Sequence, residues 1–472
     1  MQAGPTPSDQ AIPSPAGSYP VRAGNLVRPL VDSGPTFRRI GAAIAAARHS
    51  VFVTATFLDP DFVMPDGQGT LFDLLDRAAG RGLDVRGLFW RPNPQSSGYG
   101  RTFPGSAEDR ALLVRRGSGF SIRWDRAAGP YCQHQKSWLI DAGKPGETAF
   151  VGGINPTFAA FEPGHAGENE RHDVYVEIAG PCACDVHHNF VQRWNEASER
   201  DAADGRWGPN DSDLAFPERP GAPCGTSLVQ IQRQIPAGRY GDGHASPGGE
   251  PWDIAAGERT VLAQYQLAIA AARRTIYVEN QALPVPEIAA ALAAALDRGV
   301  EVVLLVPTEP EESVRAVRHD PARRAFFAGI EALGQRCNFL LAGLAGRARL
   351  AGIAGPNAGG NRCPVYVHDK IMLVDDAWAT IGSCNLHGYS LDGHGEMNAA
   401  IWDAAVVRAL RRTLLAEHLD LDTAGLDDRA ALRLFRETAS ANRARWRAGE
   451  AGWQGLAIAL DPATYGVERF SG

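Results

Sequence analysis

The chain has 472 residues, 44% hydrophobic and 21% charged, with a formal net charge of −7. This composition is that of a folded globular protein, long enough for two to three domains or one large bilobal unit. The negative balance argues against broad attraction to nucleic acid or to anionic membrane surfaces, and no run reaches the roughly eighteen apolar residues that span a bilayer. Seven cysteines, of which only Cys182 and Cys184 are close, carry no metal-ligand spacing and read as free thiols of a reducing compartment. The first twenty residues are rich in Pro, Ser and Gly and lack the cationic start and apolar block of a secretion signal, so a soluble, cytoplasmic protein is expected.

In chain order, residues 1–25 read as a flexible lead-in. FRRIGAAIAAAR from Phe37 has helical periodicity, SVFVTATF after it reads as a strand, LFDLLDRAAGRG as a second helix and LDVRGLFW as a second strand. Helix alternating with strand marks an α/β layer. A polar loop runs from Arg91 to Ser106; HDVYVEIAG and CDVHHNFVQRWNEA then read as a strand and an amphipathic helix. A Pro-, Asp- and Gly-rich joint from Asp201 to Gly225 divides the chain. Beyond it the order restarts. AIAAARRTIYVENQ from Ala268 answers AIAAARHSVFVTAT from Ala43, and RGVEVVLLVP from Arg298 answers RGLDVRGLFWRP from Arg81, at offsets of 225 and 217 residues.

That internal duplication predicts two homologous α/β/α lobes, each a mixed sheet flanked by helices, facing each other across a pseudo-two-fold axis. The first lobe is expected over 26–215, the second over 216–425, and a helical cap over 426–472. Two irregular segments, Tyr240 to Gly257 and Leu350 to Pro364, have the length of lids or binding loops, and the second feeds the stretch that bears His368.

A repeated constellation carries the chemistry. QHQKSWLID from Gln133 places His134 and Lys136 two apart and ends in Asp141; AFVGGIN then returns through Gly152 and Gly153 to Asn155. VHDKIMLVD from Val367 places His368 and Lys370 two apart and ends in Asp375; ATIGSCN returns through Gly382 and Ser383 to Asn385. Residues i and i+2 of a strand share a face, so each His–Lys pair is expected to project side by side. Asp375, on the opposite parity, is expected to pin the turn. Two copies, 234 residues apart, are hard to ascribe to chance.

The duplicated His–Lys–Asp pattern resembles the signature of the phospholipase D superfamily. IYVENQAL from Ile276, RHDV from Arg171 and ATIGSCNLHGYSLDG from Ala379 resemble strings of its phospholipid-cleaving branch, with Arg171 where that branch has Trp and Cys384 where it has Ala. The resemblance implies the site at the lobe interface and His134 as nucleophile. It also implies Asp173 and Glu396, each at the start of an apolar strand, as acids that orient the histidines. It further implies a phospholipid substrate met peripherally at a membrane surface, without nucleic acid. The oligomeric state is left open.

The residue types suit a phosphodiester. Two lysines, helped by amides of Asn155 and Asn385, neutralise the phosphate and the added charge of a five-coordinate transition state. One neutral histidine attacks phosphorus, while the other protonates the leaving alcohol and then deprotonates the acceptor. Neither motif offers a carboxylate cage or a zinc ligand set, so no metal or cofactor is expected in the chemistry. The leading reading is headgroup hydrolysis to phosphatidate with transphosphatidylation. The alternatives are a nuclease and a cardiolipin-synthase-like phosphatidyltransferase. His187 and His188, adjacent on a helix and so diverging by about 100°, read as packing residues. Trp138, Trp378 and Trp402 read as core, and the glycines of SGYG and PGGEP lack the strand–helix context of a nucleotide site.

Overall fold

The computed structural model describes residues 12–157, 165, 170–318, 320, 321, 324–347 and 362–468. Two sheets repeat one strand order. In the first, Ser121–Asp125, Asp84–Trp90 and Ser50–Ala55 run parallel, and Ser137–Ile140 then pairs antiparallel with Ser50–Ala55. Thr148–Gly152, Val174–Ala179 and Arg22–Val31 follow, all antiparallel. In the second, Phe339–Arg347, Glu301–Leu305 and Thr275–Asn280 are the parallel trio, and Lys370–Val374, Trp378–Gly382, Glu396–Trp402 and Ser227–Ile235 complete the antiparallel half. Arg22–Val31 pairs antiparallel with Ser227–Ile235, so the two sheets meet along one seam.

The strand period of two explains the layers. Val51 and Val53 face an outer core with Phe37, Ile40 and Ile44 of the Ser33–Ala46 helix and Leu71 and Leu75 of the Leu71–Gly80 helix, while Phe52 between them faces the central core. Val302 and Leu304 likewise face the helices Thr260–Ala271 and Pro286–Asp297, and Val303 and Leu305 face inward. The central core is shared: Val176 and Phe190 of the first lobe belong to one apolar cluster with Tyr277, Ile371 and Ala399 of the second. Each lobe is thus closed on one face by its own helices and contributes the other to a common interior. Trp138 and Trp378 are buried in the outer cores and Trp402 packs against the second.

The lobe limits differ from the sequence expectation at both ends. Residues 12–25 are packed: Ile12 and Tyr19 are buried, and the first strand begins at Arg22, inside the expected lead-in. The segment expected as a cap contains the helix Asp428–Ala448, but its strand Ala457–Ala459 pairs with Phe339–Arg347 and extends the second sheet. Tyr240–Gly257 is fastened to the first lobe. Arg239 just before it is ion-paired with Asp125, the amides of Gly241 and Asp242 donate to Glu196, and His188 bonds the carbonyl of His244. Most of the second expected loop, residues 348–361, lies outside the described residues. Cys132, Cys182, Cys184, Cys224, Cys337 and Cys384 are free thiols. Among the described residues no helix is long and apolar enough to cross a membrane.

Candidate active site

The motif histidines lie just outside the strands expected to carry them. His134 precedes Ser137–Ile140, and His368 sits between Arg362–Val367 and Lys370–Val374. Their backbone pairs across the lobes. The His134 amide donates to the Gly395 carbonyl at 2.8 Å, and the His368 amide donates to the His172 carbonyl at 2.8 Å. Arg171–His172 runs parallel with Tyr366–Val367, and Gln133 forms a parallel bridge with Gly395. Each histidine is therefore docked beside the residue preceding an acid of the opposite lobe.

The side chains follow. His134 Nδ1 lies 3.0 Å from both carboxylate oxygens of Glu396 and 3.1 Å from the Ser383 carbonyl. His368 Nδ1 lies 2.5 Å from Asp173 Oδ2. The two acids named from sequence are thus brought to the histidines, each crossing the seam. Glu396 also accepts from the Ser383 hydroxyl at 2.5 Å and the Ser390 hydroxyl at 2.6 Å, whereas Asp173 accepts from its own neighbour's amide, Val174 N, at 2.8 Å.

The lysines curl back instead of projecting beside the imidazoles. Lys136 Nζ donates to the His134 carbonyl at 2.6 Å; Lys370 Nζ donates to the His368 carbonyl and, at 3.2 Å, to Gln281 Oε1. Burial lowers Lys136 to about 7 and Lys370 to about 8. Burial, then the charges of Lys136 and Lys370, push His134 well below its ordinary value. Burial does the same to His368, reinforced by Lys370, Arg171, Lys136 and His134 itself. Burial raises Asp173 to about 7, and it raises Glu396. The four basic side chains crowd one dry region, where Asp173, Glu396 and Asp369 are the acids whose charges act on the lysines.

Asn155 lines a small pocket with Arg171, Asp173 and His368. The Asn385 side chain is buried, and its amide oxygen has no hydrogen-bond partner. Gly153 and Gly382 are required by close approach: a Cβ on Gly153 would lie 2.2 Å from Asp173 Oδ1, and one on Gly382 would lie 2.1 Å from Asn398 Oδ1. A Cβ on Gly152 would meet the Val174 carbonyl at 2.4 Å. Asp141 and Asp375 stand away from the imidazoles. Asp141 accepts from the amides of Arg48, His49 and Ser50, and Asp375 from those of Arg273, Arg274 and Thr275. Both adopt positive φ, 54° and 56°, which an aspartate tolerates better than most residues. Each ties the turn of its hairpin to the start of the neighbouring strand, as expected for Asp375.

Several contributors escaped the motif reading. Ser390 and His394 belong to GYSLDGHG, a stretch without a repeat partner in the first lobe; Gln281 lies in the ENQ string but carries no chemistry by type. From His134 an aromatic path leads outward through His394, 5.6 Å between ring centroids, to the half-exposed Tyr389, 5.9 Å further.

A family model described as cardiolipin synthase, PLD-like domain, matches residues 266–417, which contain the second motif. Cardiolipin synthase A of Pseudomonas entomophila is 25% identical over 85% of this chain and 70% of its own length. Phospholipase D A of Dictyostelium discoideum is 24% identical over 81% of this chain; the match spans only 33% of that protein. The solved phosphatidylserine synthase of Haemophilus influenzae Rd KW20 superposes with a TM-score of 0.55 over 91% of this chain and 96% of its own, at 14% identity, a likeness of fold. With the duplicated motif and the doubled sheet, these similarities define the class. In motif, fold and sequence the chain is similar to the phospholipase D superfamily of phosphodiesterase enzymes. Within it, the similarity to a cardiolipin synthase covers as much of the chain as that to a phospholipase D, so hydrolysis is no longer the better supported of the two reactions.

Proposed function

We propose that this chain is a phosphatidyl-transferring phosphodiesterase acting on glycerophospholipids, with an alcohol hydroxyl as the preferred acceptor and water as its competitor. The observation that carries this is the crossed pairing of His134 with Glu396 and His368 with Asp173 beside two buried lysines. Glu396 receives two hydroxyl donors that favour its anion, so it takes the Nδ1 proton of His134 as a hydrogen bond and leaves Nε2 with a free lone pair. His134 Nε2 attacks phosphorus while the headgroup oxygen departs with a proton from His368. In the second step His368 takes the proton of the incoming hydroxyl, whose oxygen displaces His134 from phosphorus. Lys136 and Lys370, with Asn155 and Asn385, hold the phosphoryl oxygens.

Transfer to an alcohol is favoured by the similarity to cardiolipin synthases and by the burial of both histidines and both lysines, which restricts water at the phosphoenzyme. The half-exposed Tyr389 offers an amphipathic edge suited to peripheral contact with a lipid surface. The negative net charge and the absence of basic tracts count against a nuclease. The test is incubation with phosphatidylglycerol vesicles in oxygen-18 water, with and without added deuterated glycerol, and mass spectrometry of the lipids. Transfer products, cardiolipin among them, should exceed labelled phosphatidate, and His134→Ala should yield neither. Phosphatidate alone, even with glycerol present, would assign the enzyme to hydrolysis; no product beyond that of His134→Ala would remove the lipid reading altogether.

A further inference from the structure

Beside the phosphodiester site lies a second buried cluster that the proposed reaction does not use. His172, Glu279 and His418, each fully buried, bring one donor atom apiece within 4.8 Å of one another. His172 comes from the first lobe, Glu279 from the strand Thr275–Asn280 and His418 from the helix Ala404–Leu419 of the second. The two imidazoles meet through Nε2 at 3.2 Å, and His172 Nε2 lies 3.0 Å from Glu279 Oε2.

The outer hydrogen bonds fix what faces inward. His172 Nδ1 lies 3.0 Å from Asp32 Oδ1, so that nitrogen carries a proton and donates it. Tyr277 donates to Glu279 Oε1 at 2.6 Å, so its oxygen is left to accept from His418 Nδ1 at 3.1 Å. With both imidazoles neutral, the two Nε2 atoms direct lone pairs at each other across 3.2 Å, with Glu279 Oε2 3.0 Å from that of His172. Three lone pairs converging in a dry interior repel unless a metal ion or a proton lies between them. Asp369, fully buried, has its Oδ2 3.5 Å from His172 Nε2, and neither of its carboxylate oxygens has a hydrogen-bond partner.

We propose that His172, Glu279 and His418 hold a divalent zinc-class ion, with Asp369 as the adjacent fourth donor or balancing anion. Donors on a zinc ion at 2.0–2.1 Å are roughly 3.3 Å apart, close to the 3.2 and 3.0 Å separations found here. Two imidazoles and carboxylates are a donor set that such ions prefer over magnesium or calcium. The supporting contacts match as well: Asp32 behind His172 and Tyr277 behind His418 orient the rings as outer partners of metal-bound imidazoles do. None of the donors belongs to the four motif residues, so the ion is a clamp and not a reagent. It ties the first lobe's His172 to the second lobe, one residue from Asp173, and so fixes the seam along which the two histidines meet their acids. The rival occupant is a single proton shared by the imidazoles, His172 being held as an imidazolium by Asp32 and Glu279.

The experiment is metal analysis of the full chain, purified without a histidine tag, stripped with dipicolinate and reloaded with zinc or cobalt. About one zinc per chain should survive gel filtration, and the cobalt form should show visible absorption bands of a tetrahedral or five-coordinate nitrogen–oxygen site. His418→Ala should lose the bound metal, whereas His187→Ala, a buried histidine elsewhere, should keep it. Stripping should lower the wild-type Tm by about 5 °C or more, with zinc but not magnesium restoring it. Should His418→Ala fail to fold, the wild-type cobalt spectrum and the zinc-dependent Tm decide alone. Wild-type protein that takes up no metal, with a Tm indifferent to zinc, overturns the proposal in favour of the shared proton.

Discussion

Glu396 belongs to the second lobe, yet its carboxylate lies 3.0 Å from the Nδ1 of His134 in the first, 262 positions away. His368 takes Asp173 from the first lobe in return. Neither lobe supplies both its motif histidine and the acid that histidine meets. The expected consequence is sharp at Glu396. Glutamine there keeps the shape but can present an N–H to His134 Nδ1, which selects the wrong tautomer and protonates Nε2. Glu396→Gln should lower kcat by about 10²- to 10⁴-fold with little change in KM. Steady-state kinetics on purified, folded variant decides; a KM effect alone would place Glu396 in binding.

Ser383 and Ser390 give that prediction a pH signature. Both hydroxyls donate to Glu396 and hold its pKa down against burial, which raises it. Glu396 has to be ionised to orient His134. Replacing either serine by alanine removes a stabiliser of the anion, so protonation sets in at higher pH. The acid limb of the kcat profile should shift to higher pH in Ser383→Ala and Ser390→Ala, with activity near wild type well above that limb. An unmoved limb with uniformly reduced activity would mean the serines act through packing.

Lys136 should show a stability cost of function. Burial lowers it to about 7 from the 10.5 of a free lysine. The unfolded chain therefore binds more protons than the folded one between those values, and stability rises with pH across that window. Below pH 7 the folded protein carries the buried ammonium at a cost of roughly 5 kcal/mol, which fades to nothing as pH approaches 10.5. Lys136→Met should be inactive yet melt higher than wild type below pH 7, the gap closing as pH rises. Thermal denaturation across pH 6–9 tests the sign.

Much of this was legible in the chain. The AIAAAR and RGLDV repeats gave the doubled order of strands. The His–Lys spacing and the Gly-Gly and Gly-Ser steps singled out the site. What the chain did not disclose is the crossing, because a linear repeat does not say which acid meets which histidine. That depends on the Gln133–Gly395 bridge and on Arg171–His172 lying beside Tyr366–Val367. Those contacts also take the histidines out of their expected strands. The strand Ala457–Ala459 is too short to show a period, and its role depends on a neighbour over a hundred residues earlier.

Asp141 and Asp375 separate fold from chemistry. Each accepts three backbone amides, and loss of the carboxylate strands those donors. Asp141→Ala should cost about 2–4 kcal/mol in denaturant unfolding, and Asp375→Ala less, because Asp375 is only half-buried. Asp141→Asn, which tolerates positive φ and keeps an acceptor, should recover part of the loss. Activity per folded molecule should stay within about threefold in all three, since these effects are on stability. A collapse of kcat at unchanged stability would bring these aspartates into the reaction.

Gly153 tests whether the first-lobe acid needs its place. A Cβ there would sit 2.2 Å from Asp173 Oδ1, inside any allowed contact, and the carboxylate has to move off His368 Nδ1, now 2.5 Å away. The equivalent position in the second lobe, Ser383, carries a side chain without harm, because its hydroxyl donates to Glu396. The two halves are thus not interchangeable here: one acid is given room, the other a donor. Gly153→Ala should lower kcat by about 10²-fold or more at nearly constant KM, because the acid no longer orients its histidine in the transition state. Ser383→Gly should be the milder change, since it removes a donor without displacing the carboxylate. The reverse order of severity in parallel kinetics would show that Asp173 can orient His368 from elsewhere, and that position 153 serves only its backbone hydrogen bond to the Val174 carbonyl.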